Sequence, residues 1–372
     1  MNYKEDCLKN ISAKFTVGGG FSDLKSYGSG HINDTYAVVF NQACGTKRYL
    51  LQHINNTIFT DVSGLMNNIV RVTEYIRNKL EKQKAEDIVR KVLTVIPAAE
   101  GKYYYKDENG NYWRMYVFIE KARTYDVPES LEQIYEAARA FGNFQQMLID
   151  LPQPALIETI PGFHNALKRL EVFKYTLQAD VCNRAKDARS EIEFLRKNEQ
   201  IFYVISKLVE TGQIPIRVVH NDTKVNNVLM DDNTDKGICV IDLDTVMPGI
   251  SLYDFGDLVR TCVSTAAEDE RDLSKVTMDM PRFETVLKGY LSAAGKFLNK
   301  VELENLILGG KYITLEQGMR FLTDYLNGDK YYKIHREGHN LDRCRTQFKL
   351  VDLINQQEDE MMLLVRENYH AG

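Results

Sequence analysis

Between Val218 and Met230 the chain reads VVHNDTKVNNVLM, which sets His220, Asp222 and Asn227 into one short polar loop. The apolar runs on either side look like the arms of a buried hairpin. A third apolar run, Ile238–Ile241, ends in Asp242 and Asp244. Two acidic strand ends and an asparagine amide oxygen make a hard, oxygen-rich site. Mg²⁺ favours such ligands and completes its shell with water and substrate phosphates. A carboxylate beside that site, Asp222, can accept or orient the proton of a hydroxyl. Asn227 also has a plainer reading as a turn residue. Asp244 reads either as a second metal contact or as an acceptor that braces the loop. His220 reads as a group that holds the loop by hydrogen bonds rather than one that carries a proton.

The spacing sharpens this. Asp222 and Asn227 are five apart, as are the catalytic aspartate and the metal-binding asparagine of the protein-kinase catalytic loop. Asp242, twenty residues after Asp222, stands where a metal-binding acid should end a later strand. Asp254-Phe255-Gly256 spells the kinase metal motif but lies thirty-two residues after Asp222, beyond a Pro-Gly turn. Asp254 is therefore expected to brace the catalytic loop or to cap the next helix. Near the start, Gly28, Ser29 and Gly30, with the segment to Thr35, read as a phosphate-covering loop. Two glycines there let backbone N–H groups approach a triphosphate. No Gly-Lys-Ser/Thr follows, and the same tripeptide is also an ordinary β-turn.

These residues need a scaffold. The first 120 residues are rich in strand signals: DTYAVVF, RYLLQHI, VLTVIPAA, KYYYKD and YWRMYVFIE. Asn109-Gly110 suits a hairpin turn between the last two. One helix, over 61–83, places Leu65, Ile69, Val72, Ile76 and Leu80 on one face. Ser130 and Gln133 form a candidate capping box that opens a change to long helices. Further helical patterns run over about 164–178, 190–211, 282–298 and 301–326, and Ile216–Asp244 interrupts them with short strands. The expected fold is α+β and bilobal. A small antiparallel-sheet lobe covers 1–120, a hinge 121–127, and a larger, mainly helical lobe 128–372.

The 372 residues suit two lobes, and 44% hydrophobic with 27% charged residues is an ordinary globular composition. A net charge of -5 with no basic stripe argues against a nucleic-acid binder. Six scattered cysteines without a Cys-x-x-Cys pair, and no apolar leader or membrane-length run, lead us to expect a reduced, cytoplasmic protein.

His-x-Asp-x-x-x-x-Asn, then Ile-Asp-x-Asp, then Tyr-Asp-Phe-Gly-Asp resembles the aminoglycoside phosphotransferase and choline kinase superfamily of bilobal small-molecule kinases. Together with GSGHINDTY, LLQHIN, LMNNI, HNDTKVNNVLMD, VIDLDTVMPG and MRFLTDYLNGD, the sequence is similar to the N-acetylhexosamine 1-kinases within it. The resemblance runs from about Tyr27 to Leu350. It implies MgATP in the interlobe cleft, with adenine against the Glu120–Arg123 backbone. Asp222 would serve as catalytic group, and Asn227 and Asp242 as metal ligands. Gln52 stands where the wider superfamily carries a lysine on the α- and β-phosphates, and the hexosamine kinases share this glutamine. Lys224 is then either a cation on the triphosphate or a solvated lysine. The resemblance also implies that His31, Arg320 and Tyr331 contact the sugar. The plainer alternatives are a turn residue, a helix-surface pair of Arg320 with Asp324, and a half-buried tyrosine. The acidic run AAEDERD, 266–272, reads as a solvated helix start.

The implied activity is phosphorylation of the anomeric hydroxyl of a free N-acetylhexosamine by ATP and Mg²⁺. Two alternatives stay open: the same fold acting on an aminoglycoside, choline or another amino-alcohol, and a nucleotide-binding pseudokinase regulator.

Overall fold

The computed structural model describes residues 3–28 and 33–370. Ser29, Gly30 and His31, singled out above, lie outside the described residues. The strands are β1 (Gly20–Ser26), β2 (Asp34–Gln42), β3 (Gly45–Ile54), β4 (Val95–Ile96), β5 (Tyr105–Lys106), β6 (Tyr112–Val117), β7 (Ala122–Arg123), β8 (Arg217–Val219), β9 (Val228–Asp231), β10 (Gly237–Val240) and β11 (Met247–Gly249). The helices are α1 (Glu5–Ser12), α2 (Val62–Lys82), α3 (Ile88–Lys91), α4 (Leu131–Leu148), α5 (Ala166–Ala179), α6 (Arg189–Asn198), α7 (Gln200–Glu210), α8 (Ser251–Cys262), α9 (Met280–Ala294), α10 (Lys300–Glu304), α11 (Leu306–Leu326), α12 (His339–Gln356) and α13 (Glu358–His370).

The first sheet is antiparallel, ordered β1-β2-β3-β6-β4, with β5 paired to β6. Its strands form where branched and aromatic residues run together: Tyr36, Val38 and Phe40 on β2 and Tyr49 and Leu51 on β3 are buried. The runs VLTVIPAA and KYYYKD are shorter strands than their composition suggests, with two ladder residues each. Gly110, at φ +85, turns the chain between β5 and β6, while the Asp107 carboxylate accepts from the N–H groups of Asn109 and Asn111. The α2 stripe Leu65, Ile69, Val72 and Ile76 is buried as its period requires, and Asp61 caps the helix by accepting from the Gly64 N–H.

The two apolar runs beside the polar loop are not hairpin partners. β8 pairs with β11, and β9 lies between β10 and β7. A hairpin would have used the loop as a simple turn; here the loop joins two separate sheets. This leaves its polar groups free to meet the end of β10.

The helical part packs α4 on α9 and α11 on both α8 and α12. Ser130 caps α4 by accepting from Gln133 N–H, but the Gln133 side chain returns to the N–H of Glu129, one residue before the expected box partner. Gly256 and Gly309 let α8 and α11 touch: a Cβ on Gly256 would sit 2.4 Å from the Gly309 carbonyl oxygen. That crossing explains the glycine of the Asp254-Phe255-Gly256 triplet, which lies wholly inside buried α8. Among the described residues no helix is long and apolar enough to cross a membrane, and all six cysteines are free thiols.

Candidate active site

The polar loop is built from its backbone outward. The Asp254 carboxylate, buried in α8, accepts from the N–H groups of His220 (2.9 Å) and Asn221 (2.7 Å) and from Gln145 Nε2 (2.5 Å). The last acid of the same motif, Asp257, accepts from Thr223 N–H at 2.8 Å and from Arg260. Of the two duties expected for Asp254, bracing is the one seen. Asp257 was not singled out in the sequence, although its place one turn of helix after Asp254 was a usable signal. His220 is fully buried between Phe141 and Phe144, and its Nε2 donates to the Ile241 carbonyl at 2.9 Å. It anchors loop to strand.

Ile241 is the hinge pin of the site. Besides accepting from His220, it donates its N–H to the Asn227 carbonyl at 2.9 Å. Asp242, the next residue, is thereby brought beside Asp222 and Asn227. Asp222, a quarter exposed, receives Asn227 Nδ2 at 3.0 Å on one oxygen and Lys224 Nζ at 2.9 Å on the other. Burial raises its pKa, but Lys224, then His220 and Arg260, outweigh burial and hold it below the usual carboxylate range. Lys224 is raised in turn, chiefly by Asp222. The lysine is thus neither merely solvated nor free: it is paired with the loop carboxylate.

Both side-chain bonds of Asn227 use Nδ2, so its oxygen is the atom left for a cation. Asp242 is held in the left-handed region at φ 58 and is exposed. Dense protein surroundings, then Asp244 and Asp222, push its pKa up to about 6. Excess negative charge of this kind suits a divalent cation, and the hard oxygens of Asn227 and Asp242 fit Mg²⁺ with phosphate and water completing the shell. Asp244 is placed differently. Both its oxygens are held by the Arg114 guanidinium, and Asn33 Nδ2 adds a bond at 2.6 Å. Its contacts are those of the bracing reading rather than the metal reading, because the arginine already neutralises its charge. Arg114, 1% exposed, was missed in the sequence: its partner lies 130 residues away.

On the first sheet, Thr35, Gln52 and Arg114 stand in register across β2, β3 and β6. Gln52 Nε2 donates to Thr35 Oγ1 at 3.0 Å, and Gln52 Oε1 accepts from Arg114 Nε at 2.9 Å. Gly28 has φ +79, a conformation that favours glycine. The expected hinge is partly occupied from behind. Glu120 pairs with Arg48, its carbonyl accepts from Arg90 Nε, and the Lys121 carbonyl accepts from Arg90 Nη2 and Asp232 N–H. An adenine would meet these two carbonyls only as shared acceptors.

On the opposite side of the loop lies a second cluster. His164 Nδ1 lies 2.7 Å from Glu316, and its Nε2 is 3.3 Å from the Asn221 carbonyl, next to Asp222. Buried Glu316 also takes Arg169 Nε at 2.8 Å. Burial, then Arg320, lowers the Arg169 pKa, while His164 and the arginines hold Glu316 down against its burial. Arg320 lies 5.6 Å from the rings of Phe163 and Tyr332 and bonds Gln317. Its supposed partner Asp324 does not meet it. That carboxylate accepts the N–H groups of Lys330, Tyr331 and Tyr332 and the side chain of Asn340. Tyr331 is 64% exposed, edge-on to Tyr332. His164, Arg169 and Glu316 were not legible as site residues, since nothing local marks them.

The acidic run 266–272 is mostly loop and leads into one 3-10 turn, Leu273–Lys275, which Asp272 caps by accepting from the Ser274 N–H; α9 opens later, at Met280. Glu268 is tied to Arg260 (3.3 Å) and Asp269 to Arg336 (3.1 Å) and His339 (3.0 Å).

A sheet lobe joined to a larger helical lobe, with the loop of Asp222 between them, defines the bilobal kinase-like class of phosphotransferase folds. A sequence model of the phosphotransferase enzyme family (APH) matches residues 23–278, more than half of the chain, and the chain belongs to that family. Among solved structures it is similar to a choline kinase from Cryptosporidium parvum Iowa II (14% identity, 98% of this chain and 99% of that one, TM-score 0.58). It is also similar to the spectinomycin phosphotransferase APH(9)-Ia in complex with ADP and spectinomycin (12%, 96% and 99%, TM-score 0.57). A microcompartment-associated aminopropanol kinase matches comparably (15%, 97% and 99%, TM-score 0.56). At these identities the likeness is one of fold.

Proposed function

We propose that the chain is an ATP-dependent sugar 1-kinase that moves the γ-phosphoryl group of ATP to the anomeric hydroxyl of an N-acetylhexosamine. Residues 1–120 form the nucleotide lobe, 121–127 the hinge and 128–372 the catalytic and acceptor lobe. The observation that carries the acceptor class is the charge of the cluster behind Asn221: two guanidiniums, Arg169 and Arg320, face one carboxylate, Glu316. Rings of Phe163 and Tyr332 flank Arg320, and Tyr331 stands edge-on to Tyr332, so aromatic surface lies beside the cluster. A neutral sugar with an acyl carbonyl suits such a surface, whereas an ammonium seeks carboxylates or an open aromatic cage. The acidic loop 266–272, which could have served a polycation, has its carboxylates Glu268 and Asp269 paired within the protein.

Mg²⁺, held by Asn227 and Asp242, would neutralise charge on the transferring phosphate. Asp222, kept ionised by Lys224 and oriented by Asn227, holds the acceptor hydroxyl in line. With its pKa depressed, it acts more by orientation than as a strong base, which suits a loose phosphoryl-transfer transition state. The names of the choline and aminopropanol kinases favour a second reading, a cationic amino-alcohol acceptor.

A coupled ADP-release assay over N-acetylglucosamine, N-acetylgalactosamine, choline, aminopropanol, kanamycin and spectinomycin separates the two. Turnover with an N-acetylhexosamine alone is expected; turnover with a cationic acceptor and none with either sugar sinks the proposal. Asp222→Asn is expected to lose about 10²- to 10⁴-fold in kcat with nucleotide affinity nearly kept.

A further inference from the structure

Protein kinases place a lysine on the strand that carries Gln52 here and pair it with a glutamate from the helix behind the sheet. Here Gln52 stands in the lysine's place, and among the described residues α2 buries no glutamate behind the sheet. The buried polar side chains of α2 are Asn68 and Thr73; Asn68 bonds the Ile157 and Val246 carbonyls, and Thr73 bonds its own helix. We propose that Arg114 is the positioning residue that replaces this pair from one strand further along the sheet, tying the nucleotide-facing sheet to the strand end that carries Asp242. The inference rests on the kinase reading above but not on the identity of the acceptor.

The geometry is specific to arginine. Nε donates to Gln52 Oε1 at 2.9 Å while the two terminal nitrogens grip both oxygens of Asp244. One planar fork therefore grips both oxygens of Asp244 side by side while its Nε meets Gln52; a lysine ammonium also carries three donors, but from one nitrogen it cannot reproduce this flat, bidentate arrangement. The connection continues in both directions. Gln52 Nε2 reaches Thr35 at 3.0 Å, at the end of the glycine segment. Asn33 spans from the Asn55 N–H (3.0 Å) to Asp244 (2.6 Å). Thr159 Oγ1 holds the Asp244 carbonyl at 2.7 Å. An unbroken chain of bonds thus runs from Thr35 to a residue two positions beyond Asp242.

This gives Gln52 a reason. Its amide oxygen is the acceptor that aims the guanidinium, and a lysine at that position would set a second cation against Arg114. It also gives Asp244 a duty apart from the metal, which leaves the cation to Asn227 and Asp242. Buried ion pairs contribute little net stability compared with apolar side chains of the same shape, and fixing one geometry is the best-attested use for them.

The test is MgADP affinity by calorimetry on the full-length protein, with Arg114→Lys compared to wild type at a temperature where circular dichroism shows both folded. Arg114→Lys keeps the charge and loses the fork. It is expected to bind MgADP at least fivefold more weakly. A purely structural arginine would lower the unfolding temperature and leave the affinity of the folded protein alone, so a loss below fivefold overturns the inference. Where Arg114→Lys does not fold, the double variant Arg114→Gln/Asp244→Asn removes both charges together, and the same threshold applies. Gln52→Lys, which restores the strand lysine, is expected to weaken MgADP binding; tighter binding overturns the inference. No binding by wild type would end the kinase reading and this inference with it. Binding that the variants match ends this inference alone.

Discussion

The loop of Asp222, the proposed catalytic loop, owes its shape to one buried carboxyl group, and Asp254→Asn measures how much. Asp254 accepts three donors: the backbone N–H groups of His220 and Asn221, and Gln145 Nε2. Asparagine keeps one acceptor oxygen and turns an NH₂ group toward the rest. Whichever site the remaining oxygen takes, it keeps two of the three donors and one loses its acceptor. A buried donor without a partner costs about 1–3 kcal/mol, and the variant should lose about that much. That is a sizeable part of the roughly 5–15 kcal/mol typical of a folded protein. The damage is local, because Asn221 is already held at φ 65 and directly precedes Asp222. A shift of about 1 Å in a reacting group costs on the order of 10²-fold in rate. Urea unfolding followed by circular dichroism should therefore show the loss of stability, and ADP release should fall about 100-fold with nucleotide affinity less affected. Should Asp254→Asn unfold within about 1 kcal/mol of wild type and turn over normally, the bracing account of the loop is wrong.

Two further outcomes follow from the ion pairs and turns. Asp324→Asn disturbs the loop that its carboxylate holds through the N–H groups of Lys330, Tyr331 and Tyr332, so KM for the acceptor should rise about tenfold while KM for ATP stays near wild type; equal changes in both count against an acceptor role for this loop. The Asp231 carboxyl, bonded first by Arg90 and then by the Asn233 N–H, is pushed down to about 2. A depressed carboxyl stabilises the fold above its unfolded pKa of about 3.9 and loses that contribution as pH falls toward 2. The stability gap between wild type and Asp231→Asn should thus be widest above pH 4 and close between about pH 4 and 2 by that linkage; a gap that does not change with pH removes the pair from the acid response.

Local chemistry made much of this protein legible. Leu65, Ile69, Val72 and Ile76 mark α2 by period alone, because a helix must bury one stripe. The loop from His220 to Asn227 and the acids after Ile241 announce themselves because phosphate and cation chemistry needs oxygens at short spacing. The reach of the pattern stopped where partners are far apart in the chain. Arg114 meets Asp244 across 130 residues and His164 meets Glu316 across 152, so neither pair leaves a periodic trace. Helices α12 and α13 escaped notice because α12 is covered on several sides and buries Asn340, Thr346 and Gln347 among its apolar residues, which blurs any stripe. The acidic run 266–272 looked like a solvated helix start, since composition cannot say that Arg260, Arg336 and His339 fold back onto it. What the sequence determined by itself were the groups able to do chemistry and the elements with a regular period. Only the tertiary structure decided which cation neutralises which acid, because a charge buried far along the chain finds its partner through packing and not through spacing.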